Sequence, residues 1–196
     1  MKAEASFRLN GRTLRVFQDP DPVNPWDPKH GCDHVGTMAL FHRRYCLPND
    51  SGMNPEELAQ YLTRNASKLM AIEVRGYDHS GFTIGEAGDP SRPCLNDMWD
   101  SGKLGYLYCT FERARKESGL RGKKMKEWLR RILLAELNEY DQYLQGDVWG
   151  YIVTENGEET DSCWGFFGDT WQEALKGCVI DFEEFLKHPV EDSEDD

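Results

Sequence analysis

Residues 123–144 constrain this chain more than any other stretch. Met125, Trp128, Leu129, Ile132, Leu133, Leu137, Tyr140 and Leu144 recur at intervals of three and four, which puts them on one broad face of a single helix. Gly146 follows where a left-handed C-terminal residue is expected. A helix so long and so apolar on one side needs a cover, and the flanking sequence supplies strands. Residues 6–9 and 13–17 alternate around Asn10-Gly11, and residues 148–154 and 160–167 flank Asn156-Gly157. Asn-Gly is the strongest two-residue hairpin signal, because both residues tolerate positive φ.

The rest of the chain fits the same plan. Asn54 can cap a helix, Pro55 suits its first position, and Glu57 completes a capping box. Leu58, Tyr61 and Leu62 give that helix its apolar face. Residues 68–75 and 81–85 read as strands around a polar turn, and the aromatic run 105–111 as another. Residues 36–45 read as a strand or a short buried segment. Prolines at 20, 22, 25 and 28 impose an extended loop. Asp169 is placed to cap a last helix with Trp171, Leu175, Cys178, Val179, Phe182 and Leu186 inward. The expected fold is α+β: one domain over residues 1–190, a largely antiparallel sheet packed with one long and two shorter helices. The acidic tail 191–196 is expected to be disordered.

Composition excludes several classes. Of 196 residues, 39% are hydrophobic and 12% aromatic, too many for an intrinsically disordered chain. No apolar run is long enough to span a membrane, and the first residues lack the apolar core of a secretion signal. A cytoplasmic location and no membrane partner are therefore expected. The six cysteines include no Cys-x-x-Cys pair, so reduced thiols are expected, with Cys109 and Cys178 as small buried hydrophobes. The net charge of −12 disfavours direct nucleic-acid binding. That charge is uneven. Residues 112–131 carry nine basic and three acidic side chains, whereas residues 135–196 carry 18 acidic and two basic ones. Such asymmetry orients a protein on a charged partner, or balances basic run against acidic half in a homodimer.

Five constellations could carry chemistry. His30, Cys32 and His34, with His42 and Cys46 downstream, have ligand types suited to zinc. Their spacing matches no standard finger, and the preceding prolines favour a loop. Tyr77, Asp78, His79 and Ser80 contain the residue types of a hydrolase triad. Triads are assembled by folds and not by adjacency, so a turn or a binding site fits better. Asp100, in Trp99-Asp100-Ser101-Gly102, could be presented by a tight turn in the same way. Asp141 and Asp147 flank the end of the long helix, with Asp161 in the following hairpin. Aspartate there opposes the helix dipole unless something compensates. The three could hold magnesium, meet basic groups of a partner, or be solvated. Cys163 lies in acidic sequence, which does not favour a thiolate nucleophile.

The motifs at 77–81 (YDHSG), 99–102 (WDSG), 140–151 (YDQYLQGDVWGY) and 161–168 (DSCWGFFG), with 36–38 and 41–45, span most of residues 16–180. Together they resemble a family of small proteins from bacteriophages and mobile elements. The resemblance implies an accessory protein made in the cytoplasm of a bacterial host, with no settled activity. Family members carry Asn at the place of His34 and no cysteine at that of Cys32, a departure that counts against zinc. No catalytic residue, metal or cofactor is assigned.

The function expected is binding and inhibition of a host protein, basic or nucleic-acid-binding, within an anti-phage defence complex. The acidic half would imitate a phosphate backbone. Candidate partner-binding residues are Asp147, Glu155, Glu158, Glu159, Asp161, Glu183 and Glu184, with Trp164, Tyr77, Asp78, His79, Asp100 and Asp141 from the shared motifs. The alternative is a small-molecule or nucleotide binder, or an enzyme, using Asp78, His79, Asp100, Asp141 and Asp147. There His79 would be the general acid or base.

Overall fold

The computed structural model describes residues 1–30, 33–79 and 81–190, with the backbone alone at His30. The acidic tail lies outside the described residues, as do Cys32, Ser80 and the His30 side chain. In chain order the elements are β1 (Ala5–Leu9), β2 (Arg12–Gln18), β3 (Thr37–Leu40), α1 (Pro55–Asn65), β4 (Leu69–Asp78) and β5 (Phe82–Glu86). Then follow β6 (Ser101–Thr110), α2 (Phe111–Ser118), α3 (Gly122–Gln145), β7 (Val148–Glu155), β8 (Glu158–Phe167), α4 (Trp171–Leu175) and α5 (Phe182–Phe185). The fold is α+β, with two antiparallel four-stranded sheets in place of one. The chain divides into two compact units. Unit one holds residues 1–24 and 142–196; unit two is the continuous stretch 25–141.

Unit one is the sheet β1-β2-β7-β8. Asn10 and Gly11 take φ of 50° and 81°, and Asn156 and Gly157 take 53° and 86°, so both Asn-Gly turns form the expected hairpins. Leu14 and Val16 of β2 lie opposite Val153 and Tyr151 of β7. With Phe7 they bury against Leu175, Val179, Phe182 and Phe185. The single terminal helix expected is two short ones, α4 and α5. Its cap is Thr170, whose side chain accepts from the Glu173 amide, and not Asp169. Gly177, at φ 79°, breaks the helical path between them. The break turns Cys178 to the surface, a correction to its expected burial.

Unit two is the sheet β3-β6-β4-β5. One face carries Ala39, Leu69 and Tyr108, covered by Leu58 and Leu62 of α1. The capping box forms as expected: Asn54 accepts from the Glu56 and Glu57 amides, and Glu57 accepts from the Asn54 amide. On the other face lies α3. Leu107 of β6 and Leu133 of α3 both close on Gly36, leaving no room there for a Cβ. Glu136, nearly buried, accepts the amides of Val35 and Gly36 at 2.6 and 2.9 Å and so fixes the entry to β3. The short helix α2 was not expected. Thr110 caps it and left-handed Gly119 ends it, but its eight residues contain only one buried position, Ala114, so hydrophobic spacing did not mark it. No helix among the described residues is long and apolar enough to cross a membrane.

Candidate functional site

The β7–β8 hairpin of unit one collects most of the acidic candidates. β8 is an edge strand, and residues 158–163 are all exposed. Glu158 lies directly opposite Glu155, and Glu159 opposite Thr154. Like charges facing each other across a ladder destabilise it. Arg12 faces Glu155 from β2, yet its guanidinium turns to Asp181, 2.6 Å away. Among the described residues, Glu159 accepts only the Ser162 hydroxyl. Among the described residues, Glu155, Glu158, Glu159 and Asp161 form no ion pair. Trp164 lies on the same strand but packs inward, its ring over Gly150 and 5.9 Å from that of Phe17. It supports the hairpin from below. Glu183 and Glu184 lie in the first turn of α5, and Glu184 is paired with Lys187.

Asp161 also has an inward contact, accepting the Tyr151 hydroxyl at 3.0 Å. Burial, and then the Asp161 carboxylate, push the Tyr151 phenol up to about 12. Because this value lies above the ~10 of a free tyrosine, the neutral phenol's contribution to stability is complete below about pH 10. It is lost as pH rises towards 12. Absorbance titration should therefore show a tyrosine transition near 12 that vanishes in Tyr151→Phe. Wild type should lose more stability than that variant between pH 10 and 12. Equal loss in both would refute the assignment.

Asp147 and Gly146 close α3. The Gly146 amide donates to Tyr143 and the Asp147 amide to Gln142, with Gly146 at φ 77°. This double bond pattern is a Schellman ending. Asp147 is half-buried, and its carbonyl accepts from Gly168.

The second group lies at one end of the sheet of unit two, where β4 turns into β5 beside the start of β6. The structure brings Tyr77, Asp78, His79 and Asp100 together there. The Asp78 amide donates to the Asp100 carbonyl, and His79 Nδ1 lies 3.3 Å from Asp100 Oδ2. That contact becomes an ion pair when the imidazole is protonated. Partial burial, then the charges of Asp100 and Asp97, raise the Tyr77 phenol above its ordinary value. Three further participants were not among the candidates. Arg44 pairs with Asp78, and the Tyr45 hydroxyl donates to it at 3.3 Å, from more than thirty residues upstream. Asp97 accepts the amides of Trp99 and Asp100, and these two bonds lower its carboxyl below the usual range. Its spacing before Trp99-Asp100 is the sign of an Asx turn that the sequence did offer. Trp99 is 87% exposed and Met98 84%. The better-formed cavities of this unit lie elsewhere: about 490 Å³ beside Arg92 and Arg130, and about 820 Å³ beside Lys68, Arg115 and Arg121. An acid–base site without an enclosing cavity does not exclude water from its substrate.

Asp141 stands apart from both groups. It is fully buried, with Oδ1 accepting the Thr83 hydroxyl and the Ile84 amide and Oδ2 lying 2.6 Å from Arg92. Arg92 is the compensation that an aspartate near a helix C-terminus calls for. Among the described residues, the two candidate histidines are engaged elsewhere. His34 stacks on Trp26 at 3.8 Å, and His42 Nδ1 accepts the amides of Arg44 and Tyr45. Among the described residues no group of three or more His, Cys, Asp and Glu side chains is placed to hold a metal. Comparison with protein-family models, curated proteins and solved structures finds no match to this chain.

Proposed function

We propose that this chain is a phage-encoded accessory protein that acts in the bacterial host cytoplasm. It binds and inhibits a basic or nucleic-acid-binding host protein of an anti-phage defence complex through its acidic β7–β8 hairpin. The observation that carries the reading is the unpaired state of four carboxylates. In unit two Glu86 has Arg130 and Glu73 has Lys103 as cation partners. On the hairpin, Glu155 and Glu158 face each other and nothing neutralises them, nor Glu159 or Asp161, among the described residues. A local cost of this kind, uncompensated within the fold, is expected at a functional surface. The register shift between Val153 and Thr154 puts Glu158 and Asp161, opposite Glu155 and Val153, on one face of the strand and Glu159, opposite Thr154, on the other. Carboxylates therefore flank the strand on both sides. The resemblance to phage and mobile-element proteins supports the host setting.

The test is capture from lysate of phage-infected cells on immobilised protein, with washes at low and high salt. The comparison is a variant carrying Glu155→Gln, Glu158→Gln, Glu159→Gln and Asp161→Asn. A basic protein held at low salt, released at high salt and absent from the variant is expected, because screening weakens exposed charge pairs. Equal capture by the variant, or capture indifferent to salt, refutes the acidic-surface reading.

A further inference from the structure

Sheet edges are ready-made templates for another strand, because alternate residues turn unpaired N–H and C=O groups outward. Three of the four edges in these two sheets are closed by the chain itself. The β1 edge takes residues 188–190: the Arg8 amide donates to the His188 carbonyl, and the Val190 amide to Ser6. The β3 edge takes residues 48–50, through Leu40 to Pro48 and Asp50 to Met38. The β5 edge is closed by side chains. Asp141 accepts the Ile84 amide and Arg92 donates to the Ile84 carbonyl. Among the described residues, only β8 has no such cover. Among the described residues its backbone bonds run to β7, and six consecutive residues, 158–163, are exposed.

We propose that β8 receives an extended basic segment of the partner protein as a fifth strand of the unit-one sheet. The inference rests on the acidic-surface reading and adds a backbone ladder to it. Charge selects the occupant. A strand laid along β8 needs Lys or Arg at alternate positions to meet Glu158 and Asp161, which share a face across the register shift. A second copy of β8 would instead set carboxylate against carboxylate, so self-pairing is disfavoured. β8 has neither lysine nor proline, and its ladder with β7 carries register shifts opposite Trp149/Tyr151 and Val153/Thr154, so the regular run open to a partner is residues 161–163. Main-chain hydrogen bonds would supply affinity and the carboxylates would supply selection and approach rate.

The experiment uses the full chain and two decapeptides of alternating Lys and Thr. They are identical in charge, but one is N-methylated at two adjacent central residues, which blocks both of its hydrogen-bonding edges. Affinity is measured at one low salt concentration, and amide hydrogen exchange is followed along the chain. The unmodified peptide is expected to bind several-fold tighter, since the one ladder bond lost on the β8 side weakens binding by a factor of a few. It should also slow exchange at amides within 158–163. Equal affinities, or protection only elsewhere, overturn strand addition and leave the acidic-surface reading standing. Failure of both peptides to bind removes that reading and the inference with it.

Discussion

Replacing Asp141 by alanine is expected to cost about 3–5 kcal/mol of stability, the range for breaking a buried ion pair by deleting one partner. The carboxylate is fully buried and serves three donors at once. Its loss leaves the Arg92 charge without its partner and the Ile84 amide without its acceptor. It also reopens the β5 edge. Denaturant unfolding should show the full loss in Asp141→Ala. Asp141→Asn should lose less, because its amide oxygen can still accept from Thr83 and Ile84 although the attraction to Arg92 is gone. A loss below about 1 kcal/mol in the alanine variant would put the residue in the range of ordinary surface substitutions. That outcome would return Asp141 to the list of candidate binding residues.

Gly105→Ala is the second substitution with a large expected effect, about 3–5 kcal/mol from overpacking and backbone strain together. Gly105 lies opposite Leu40 in the β3–β6 pair, at a φ of 154° that side chains rarely adopt. A Cβ there would overlap the carbonyl oxygen of Ala39 and lie 3.1 and 3.2 Å from the Ala39 carbonyl carbon and the Leu40 Cα. All three obstacles are backbone, so no rotamer change relieves them. The expected result is a detached β3, seen as faster amide exchange over residues 37–40 and a lower unfolding midpoint. Gly102→Ala, on the same strand with nothing within 4 Å of its Cβ, should change stability little. Similar midpoints for the two variants would disprove the argument.

Local chemistry was the part of the fold written plainly in the sequence. Asn10-Gly11 and Asn156-Gly157 demand positive φ and obtain it. Asn54-Pro55-x-Glu57 starts α1 where the capping box places it. The apolar stripe of α3 appears within a residue of its expected ends. Pairing partners were not legible, because they are set by contacts between distant residues. Nothing near β2 shows that it pairs with β7 and that β4 pairs with β6, which is what makes two sheets from one run of strands. The candidate site divides along the same line. Asp78, His79 and Asp100 meet because two adjacent strands end together, which alternation alone anticipates poorly. Asp141 looked like an exposed acid opposing a dipole. Its partner, Arg92, lies in a loop whose path no periodicity describes.

The order in which the two units occur along the chain has a consequence for synthesis. Unit two is continuous, whereas unit one needs residues from both sides of it. A ribosome therefore delivers β1 and β2 long before β7, their neighbour in the sheet, exists. An isolated hairpin is marginal in water. At 5–20 residues per second it waits on the order of ten seconds for its partner. During that interval unit two can emerge whole and fold, while the N-terminal ribbon remains open to proteases and chaperones. Residues 188–190, made later still, then seal the open edge of β1.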